Sequence, residues 1–251
     1  MLTIYEEANY EAMSRRAAHI IAAEIHRNPE CVLGLATGST PIGTYKNLVE
    51  WNRNGDITFQ DVQTVNLDEY KGLSGDHDQS YRYFMNTNLF DHINIDKANT
   101  NVPNGLAEDV DAECTRYNQV INTLGPIDIQ VLGMGHNGHI GFNEPDDHFP
   151  LETHKVDLAQ STIDANARFF ASADEVPRQA LTMGIKTIMQ AKAVLVVVNG
   201  EGKAEIVKKA FSGPVSPQVP ASILQMHPNV ILVGDEAALS QLLATGVSVC
   251  G

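Results

Sequence analysis

The sequence predicts an α/β fold, a three-layer α/β/α arrangement with a mainly parallel central sheet, and three observations carry that expectation. Short β-branched or apolar runs alternate with longer amphipathic stretches, the pattern of parallel strands joined by crossover helices. The run Val194-Leu195-Val196-Val197-Val198 is continuously apolar, as a strand covered on both faces must be. The chain has 251 residues, a length that layered α/β folds often use as one unit, so residues 1–251 are expected to form a single domain.

Taken in order, residues 5–26 read as an amphipathic helix. Cys31 opens the apolar run of a strand at 32–36, which passes through a Gly, Ser and Thr turn into a helix at 41–54 with Pro41 at its first position. A strand at 62–67 ends in two acids, and helices follow at 79–90 and 107–124. The strand at 127–133 runs into a glycine-rich segment. Residues 145–175 hold Pro145, Pro150 and several Asp and His without a sustained period, so they read as a lid-like excursion from the sheet. A helix at 176–190, the valine strand at 193–198, a helix at 201–211, a strand at 229–233 and a helix at 235–243 complete the pattern. No repeat or low-complexity segment interrupts it.

Composition narrows the function classes. Hydrophobic residues make up 43% and charged residues 19%, and no apolar run reaches the roughly 18 residues of a membrane span. The amino terminus MLTIYEEANYEAM lacks the basic and apolar regions of a secretory signal, which makes a cytoplasmic setting the expectation. Cys31, Cys114 and Cys250 are odd in number and unpaired in spacing, against a disulfide framework or a thiolate zinc site. The formal charge of −14 repels a polyanion and excludes nucleic acid as the expected partner. A small anion can still bind where a helix N-terminus and a few basic side chains converge. The oligomeric state is left open by these features.

Ligands of open α/β sheets bind outside the carboxyl ends of the strands, and three segments stand there. Gly34-Leu35-Ala36-Thr37-Gly38-Ser39-Thr40-Pro41 can aim backbone N–H groups and hydroxyls at a phosphate, or can simply cap a helix. It is not a Walker loop, because no Lys follows the second glycine. Asn66-Leu67-Asp68-Glu69-Tyr70 offers a general base beside a second carboxylate able to shift its pKa or orient its neighbour, although such a pair is also common as a solvated or capping feature.

The third segment, Gly133-Met134-Gly135-His136-Asn137-Gly138-His139-Ile140-Gly141-Phe142-Asn143-Glu144-Pro145, satisfies G-x-G-x-x-G, with Asp157 about twenty residues on. A dinucleotide site needs a helix to begin inside the glycines, and Gly141, Asn143 and Pro145 argue against one here. Glycines interleaved with His139, Asn137 and Glu144 describe a loop folded round a site in which a carboxylate orients an imidazole. His136 and His139 have no further ligands at metal-site spacing. Among the scarce cations, Arg168 in Asn-Ala-Arg-Phe-Phe and Lys203 after the valine strand can reach a strand-end site, or can be ordinary solvated charges. Lys203 opens a helix against its dipole, which favours an anionic ligand nearby.

Together, LATGSTP, NLDEY, GHNGHIGFNEP, NARFF and the late Lys resemble, in order and through nearly the whole chain, the glucosamine-6-phosphate deaminase (glucosamine-6-phosphate isomerase) family. The resemblance implies a modified Rossmann-like fold, no redox cofactor and conversion of glucosamine 6-phosphate to fructose 6-phosphate and ammonium. It places the enolisation base on Asp68, the ring-opening imidazole on His139 and its assisting acid on Glu144. Asn137 occupies a position that is Asp in some members, which keeps a hydrogen-bonding role and removes a charge. Ser39, Thr40, Arg168 and Lys203 are implied to meet the phosphate, with the Thr37 and Gly38 backbone nearby.

Other readings carry different expectations. A 6-phosphogluconolactonase or aldose-ketose isomerase would not require both Asp68 and the His139–Glu144 pair, a non-catalytic sugar-phosphate sensor would not retain them, and an oxidoreductase would bind a dinucleotide. Allosteric members of the resembled family bind N-acetylglucosamine 6-phosphate through basic and hydroxyl side chains shortly after Phe-Asn-Glu-Pro, and carry a longer tail. Here that stretch reads DDHFPLETHKVD, with Lys155 its only permanent cation, and the chain ends at Gly251. Hyperbolic kinetics without activation by that analogue are therefore expected.

Overall fold

The structure is a computed structural model, and it describes residues 1–250 apart from 168, 169, 171, 173 and 174, with the backbone alone at Ser161, Ala165 and Asn166. The elements in chain order are β1 (Leu2–Glu7), α1 (Tyr10–Arg27), β2 (Val32–Leu35), α2 (Ile42–Asn54), β3 (Gln63–Asn66), β4 (Asp68–Tyr70), α3 (Tyr81–Asn88), β5 (Thr100–Asn101) and α4 (Val110–Leu124). The second half holds β6 (Ile129–Leu132), β7 (His154–Asp157), α5 (Gln160–Asn166), β8 (Gln179–Thr182), α6 (Ile185–Met189), β9 (Ala193–Val198), α7 (Ala204–Ser212), β10 (Val230–Asp235) and α8 (Glu236–Leu243).

Seven strands form a parallel sheet in the order β1-β10-β9-β6-β2-β3-β5. Every residue of β2, β6 and β9 is buried, so both faces of the sheet are covered, as the valine run requires. The chain leaves β2 toward β3 in one direction and leaves β6 toward β9 in the other, which sets the switch point between β2 and β6. A crevice opens at their carboxyl ends. A second, antiparallel sheet of order β4-β8-β7 stands beside it.

The amino terminus differs from the expected helix at 5–26. Residues 2–7 are an edge strand paired with β10 in the register Leu2↔Val230, and the helix begins only after Asn9, whose side chain accepts from the Ala12 N–H at 2.9 Å. Met13, Ala17, Ala18, Ile21 and Ile25 then bury one face of α1. The expected helix at 176–190 is a strand, β8, followed by the five-residue α6. The excursion at 145–175 contains β7 and α5, and β7 pairs with β8. Pro41 also stands one place earlier than expected, immediately before the first residue of α2.

The expected strand at 62–67 divides at a point that matters for function. Leu67 donates its N–H to Leu35 O at the end of β2 (3.1 Å) and accepts from Met183 N after β8 (2.7 Å). The chain thus passes from one sheet to the other at Leu67, and Asp68 is the first residue beyond.

Candidate active site

The turn after β2 needs a positive φ at Gly38 (92°), where a Cβ would be strained. Tyr10 of α1 fixes it, with its hydroxyl 3.1 Å from the carbonyls of Ser39 and Thr40 while accepting from Gly43 N at 2.9 Å. The Thr40 hydroxyl donates to Asn199 Oδ1 beyond β9 at 2.9 Å, which ties the two strand ends together.

Successive residues of β4 face opposite ways. Asp68 lines the crevice, 6% exposed, with Oδ2 only 3.6 Å from where a Cβ on Gly141 would stand. Burial, reinforced by the charge of Glu69, pushes its carboxyl up to about 8. Glu69, 2% exposed, turns toward α3. Its Oε1 accepts from the N–H groups of Tyr70 (2.8 Å) and Tyr81 (2.9 Å), and its Oε2 from Arg82 N (2.9 Å). Burial raises Glu69 to about 7 against the pull of those amides and of the Arg82 guanidinium.

The loop after β6 closes on itself through Gly135 N to His139 O (2.9 Å) and Gly138 N to Gly135 O (3.0 Å). No helix begins between 133 and 159, so the glycines do not form a dinucleotide turn. A Cβ on Gly135 would lie 2.3–2.4 Å from the His139 ring, so only glycine lets the imidazole rest there. His139 Nδ1 stands 3.3 Å from Glu144 Oε2, and the His139 N–H donates to Asn137 Oδ1 at 3.2 Å. Asn137 Nδ2 donates to Glu144 Oε2 (2.6 Å) and the Thr162 hydroxyl of α5 to Glu144 Oε1 (2.5 Å). Burial disfavours charge on Glu144, but hydrogen bonds from His139, Thr162 and Asn137, together with the attraction of the imidazole, outweigh it and hold the carboxyl below its usual value. Facing that carboxylate, Nδ1 is assigned the proton, which leaves Nε2 to accept one.

Lys203, just before α7, donates from Nζ to Met134 O at 2.5 Å, and His136 Nδ1 lies 3.3 Å from Gly202 O. Both side chains line the crevice. Its cavity, of about 460 Å³, gathers Thr37, Gly38, Ser39, Thr40, Asp68, Asn137, His139 and Lys203, with Glu144 behind the histidine. Arg168 lies outside the described residues. Sequence reasoning missed Tyr81 and Thr162, which also line the cavity. Tyr81 stacks on Phe142 at 5.9 Å and lies against Tyr70 at 4.8 Å, and nothing local in Ser80-Tyr81-Arg82 signals that role.

Among the described residues, Asp146, Asp147 and His148 are the one cluster with metal-ligand spacing; they are exposed and none lines the cavity. Cys31 and Cys114 are buried and burial pushes their thiols up, Cys31 to about 12 and Cys114 to about 11, which makes them inert core residues.

A parallel α/β sheet with a hydroxyl-rich turn, a lysine, a buried carboxylate and a histidine–glutamate pair in one crevice is the arrangement of a small-molecule enzyme. The chain belongs to the family described as glucosamine-6-phosphate isomerases/6-phosphogluconolactonase, which matches residues 5–232. It is 59% identical over 234 residues to a glucosamine-6-phosphate deaminase of Clostridium perfringens (strain 13 / Type A), covering 93% of this chain and 97% of the relative. It is 55% identical over 239 residues to a glucosamine-6-phosphate deaminase of Geobacillus sp. (strain WCH70), covering 95% of each. The solved structure of a monomeric glucosamine-6-phosphate deaminase superposes with a TM-score of 0.93 at 47% identity, covering 95% of this chain and 99% of that one. A 6-phosphogluconolactonase from Thermotoga maritima shares the fold, with a TM-score of 0.72 at 18% identity, covering 94% of this chain and all of that one.

Proposed function

We infer that the protein is a glucosamine-6-phosphate deaminase, converting glucosamine 6-phosphate and water to fructose 6-phosphate and ammonium. The observation that carries the reading is the placement of Asp68 in one cavity with the His139–Glu144 pair. A reaction that first opens a sugar ring and then removes a proton from carbon needs two separate proton-transfer groups, whereas hydrolysis of a lactone does not.

His139 Nε2 takes the proton of the C1 hydroxyl and delivers one to the ring oxygen, with Glu144 and Asn137 fixing its tautomer and orientation. Asp68 removes the C2 proton of the open-chain aldehyde and a proton returns at C1. The resulting C2 imine adds water and loses ammonium. A carboxyl pushed up to about 8 is a stronger base than one in water, and the substrate's C2 ammonium favours its ionised form on binding. Ser39, Thr40, Lys203 and Arg168 take the 6-phosphate, supplying binding energy remote from the reacting carbons. No resident metal or cofactor is required by these steps. Among the described residues no helix is long and apolar enough to cross a membrane; a cytoplasmic setting and a single domain over 1–251 belong to the same proposed reading. A coupled assay for fructose 6-phosphate and ammonia tests the reading: both products should appear in equal amounts from glucosamine 6-phosphate, and absence of ammonia would overturn it.

A further inference from the structure

Glu69 does not line the cavity, yet it is among the most buried acids of the chain, 2% exposed and bonded to three backbone N–H groups. Two of those groups, on Tyr81 and Arg82, belong to the first turn of α3, where a carboxylate also meets the positive end of the helix. Ser80 Oγ takes the next amide, that of Tyr83, at 3.0 Å. Its neighbour Asp68 faces the cavity from the same short strand.

We propose that Glu69 is a positioning residue for the enolisation step: held as a carboxylate on the N-terminal amides of α3, it sets the proton affinity of Asp68 and fixes Tyr81 in the cavity wall. The inference rests on the deaminase reading for its function, since it concerns the base of that reaction. Glu69 itself exchanges no proton with substrate. Its three N–H partners favour ionisation of Glu69 before Asp68, and the second proton is then retained on Asp68 because two adjacent buried carboxylates resist sharing a double charge. The directions agree, with both groups raised by burial and Asp68 raised further by Glu69.

The other titratable groups near the pair come from several elements. The phenols of Tyr70 on β4, Tyr81 on α3 and Tyr117 on α4 are all raised by burial and stay neutral in the range concerned. The Arg82 guanidinium is held by Thr100 Oγ1 (2.7 Å) and Thr100 O (3.0 Å) and acts on Glu69 and Tyr117. His139 and Lys203 share the cavity with Asp68.

The test is a ¹³C-carboxyl NMR titration of the ligand-free protein, wild type and Glu69→Gln, beside the pH profile of kcat. In wild type, Glu69 should ionise at lower pH than Asp68. In Glu69→Gln the Asp68 midpoint should fall by about one pH unit or more, and the acid limb of kcat should move the same way with KM less affected. A folded Glu69→Gln protein with an unchanged Asp68 midpoint would overturn the proposal. If that variant does not fold, wild type alone decides: a Glu69 that stays protonated until Asp68 has ionised overturns the proposal as well. The titration needs no substrate, so a wild type that releases no ammonia defeats the deaminase reading separately.

Discussion

Asn137 Nδ2 donates to Glu144 Oε2 at 2.6 Å, the same oxygen that lies 3.3 Å from His139 Nδ1. One carboxylate oxygen thus meets an amide N–H and an imidazole N–H, and an amide can fill the first position only because it donates. Asn137→Asp would set two carboxylates at that distance, where one proton must be shared. The Glu144 carboxyl should then rise, and the acid limb of kcat/KM for the cyclic substrate should move to higher pH. An unchanged limb would show that the amide does not support the charge on Glu144.

Asp68 burdens the ligand-free fold. Its folded pKa, about 8 by burial and by Glu69, lies above the ordinary carboxyl value of 3.8, so its protonation favours the native state. That contribution is complete below about pH 4 and is lost as pH rises toward 8. Asp68→Asn removes the titration, so it should stabilise the protein at pH 8 by on the order of a few kcal/mol and far less at pH 4, while abolishing turnover. Thermal melts at the two pH values check this, at roughly 2–4 °C per kcal/mol. Equal effects at both would contradict the raised carboxyl.

Gly135→Ala places a methyl group 2.3–2.4 Å from the atoms of the His139 ring. The imidazole must move, which disturbs its 3.3 Å contact with Glu144. Turnover of the cyclic sugar phosphate should fall by about a hundredfold, on the scale of losing a general acid–base group, with the fold kept. Unchanged kcat in a folded variant would remove His139 from ring opening.

The inner strands β2, β3, β6, β9 and β10 were legible because they are largely buried and announce themselves as apolar or β-branched runs, Val194–Val198 most plainly; the edge strands β1 and β5 were not. Neither were the outer elements. In the segment of β8 and α6, Leu181, Ile185 and Ile188 recur at helical spacing, and only pairing with β4 and β7 from distant parts of the chain makes the first four residues a strand. The motifs placed Asp68, Asn137, His139 and Glu144 close together because loops after strands converge at a switch point. What the motifs do not show is support from afar. The amides that hold Glu69 belong to Tyr81 and Arg82, and the hydroxyl on Glu144 to Thr162, each in a segment with no signal of its own.

Lys203 brings a cation to a cavity wall in a chain of net charge −14, anchored through Met134 O. Lys203→Ala should raise KM for glucosamine 6-phosphate by roughly tenfold to a hundredfold, the worth of a charge-assisted contact of about 1.5–3 kcal/mol, and leave kcat less changed. Inhibition by the unphosphorylated sugar is the control. If binding of both sugars weakens alike, Lys203 does not meet the phosphate.

The stretch after Phe142-Asn143-Glu144-Pro145 presents Asp146, Asp147 and His148, all exposed, and then β7, where Lys155 and Asp157 are exposed while His154 and Val156 are half-buried. Glu152 pairs with Lys186 at 2.6 Å. Asp147 is held below its usual value by hydrogen bonds from His148 and within the cluster, and His148 is raised in turn, so each of the paired charges is already answered locally. A phosphate dianion approaching this surface meets more carboxylates than cations, and an effector without differential affinity for two states cannot shift their populations. The rate should therefore rise hyperbolically with glucosamine 6-phosphate and be unaffected by N-acetylglucosamine 6-phosphate below concentrations that compete at the active site. Rate curves with and without that analogue, at fixed ionic strength, provide the check: a sigmoidal curve that becomes hyperbolic in its presence would require a phosphate site on this face or on another.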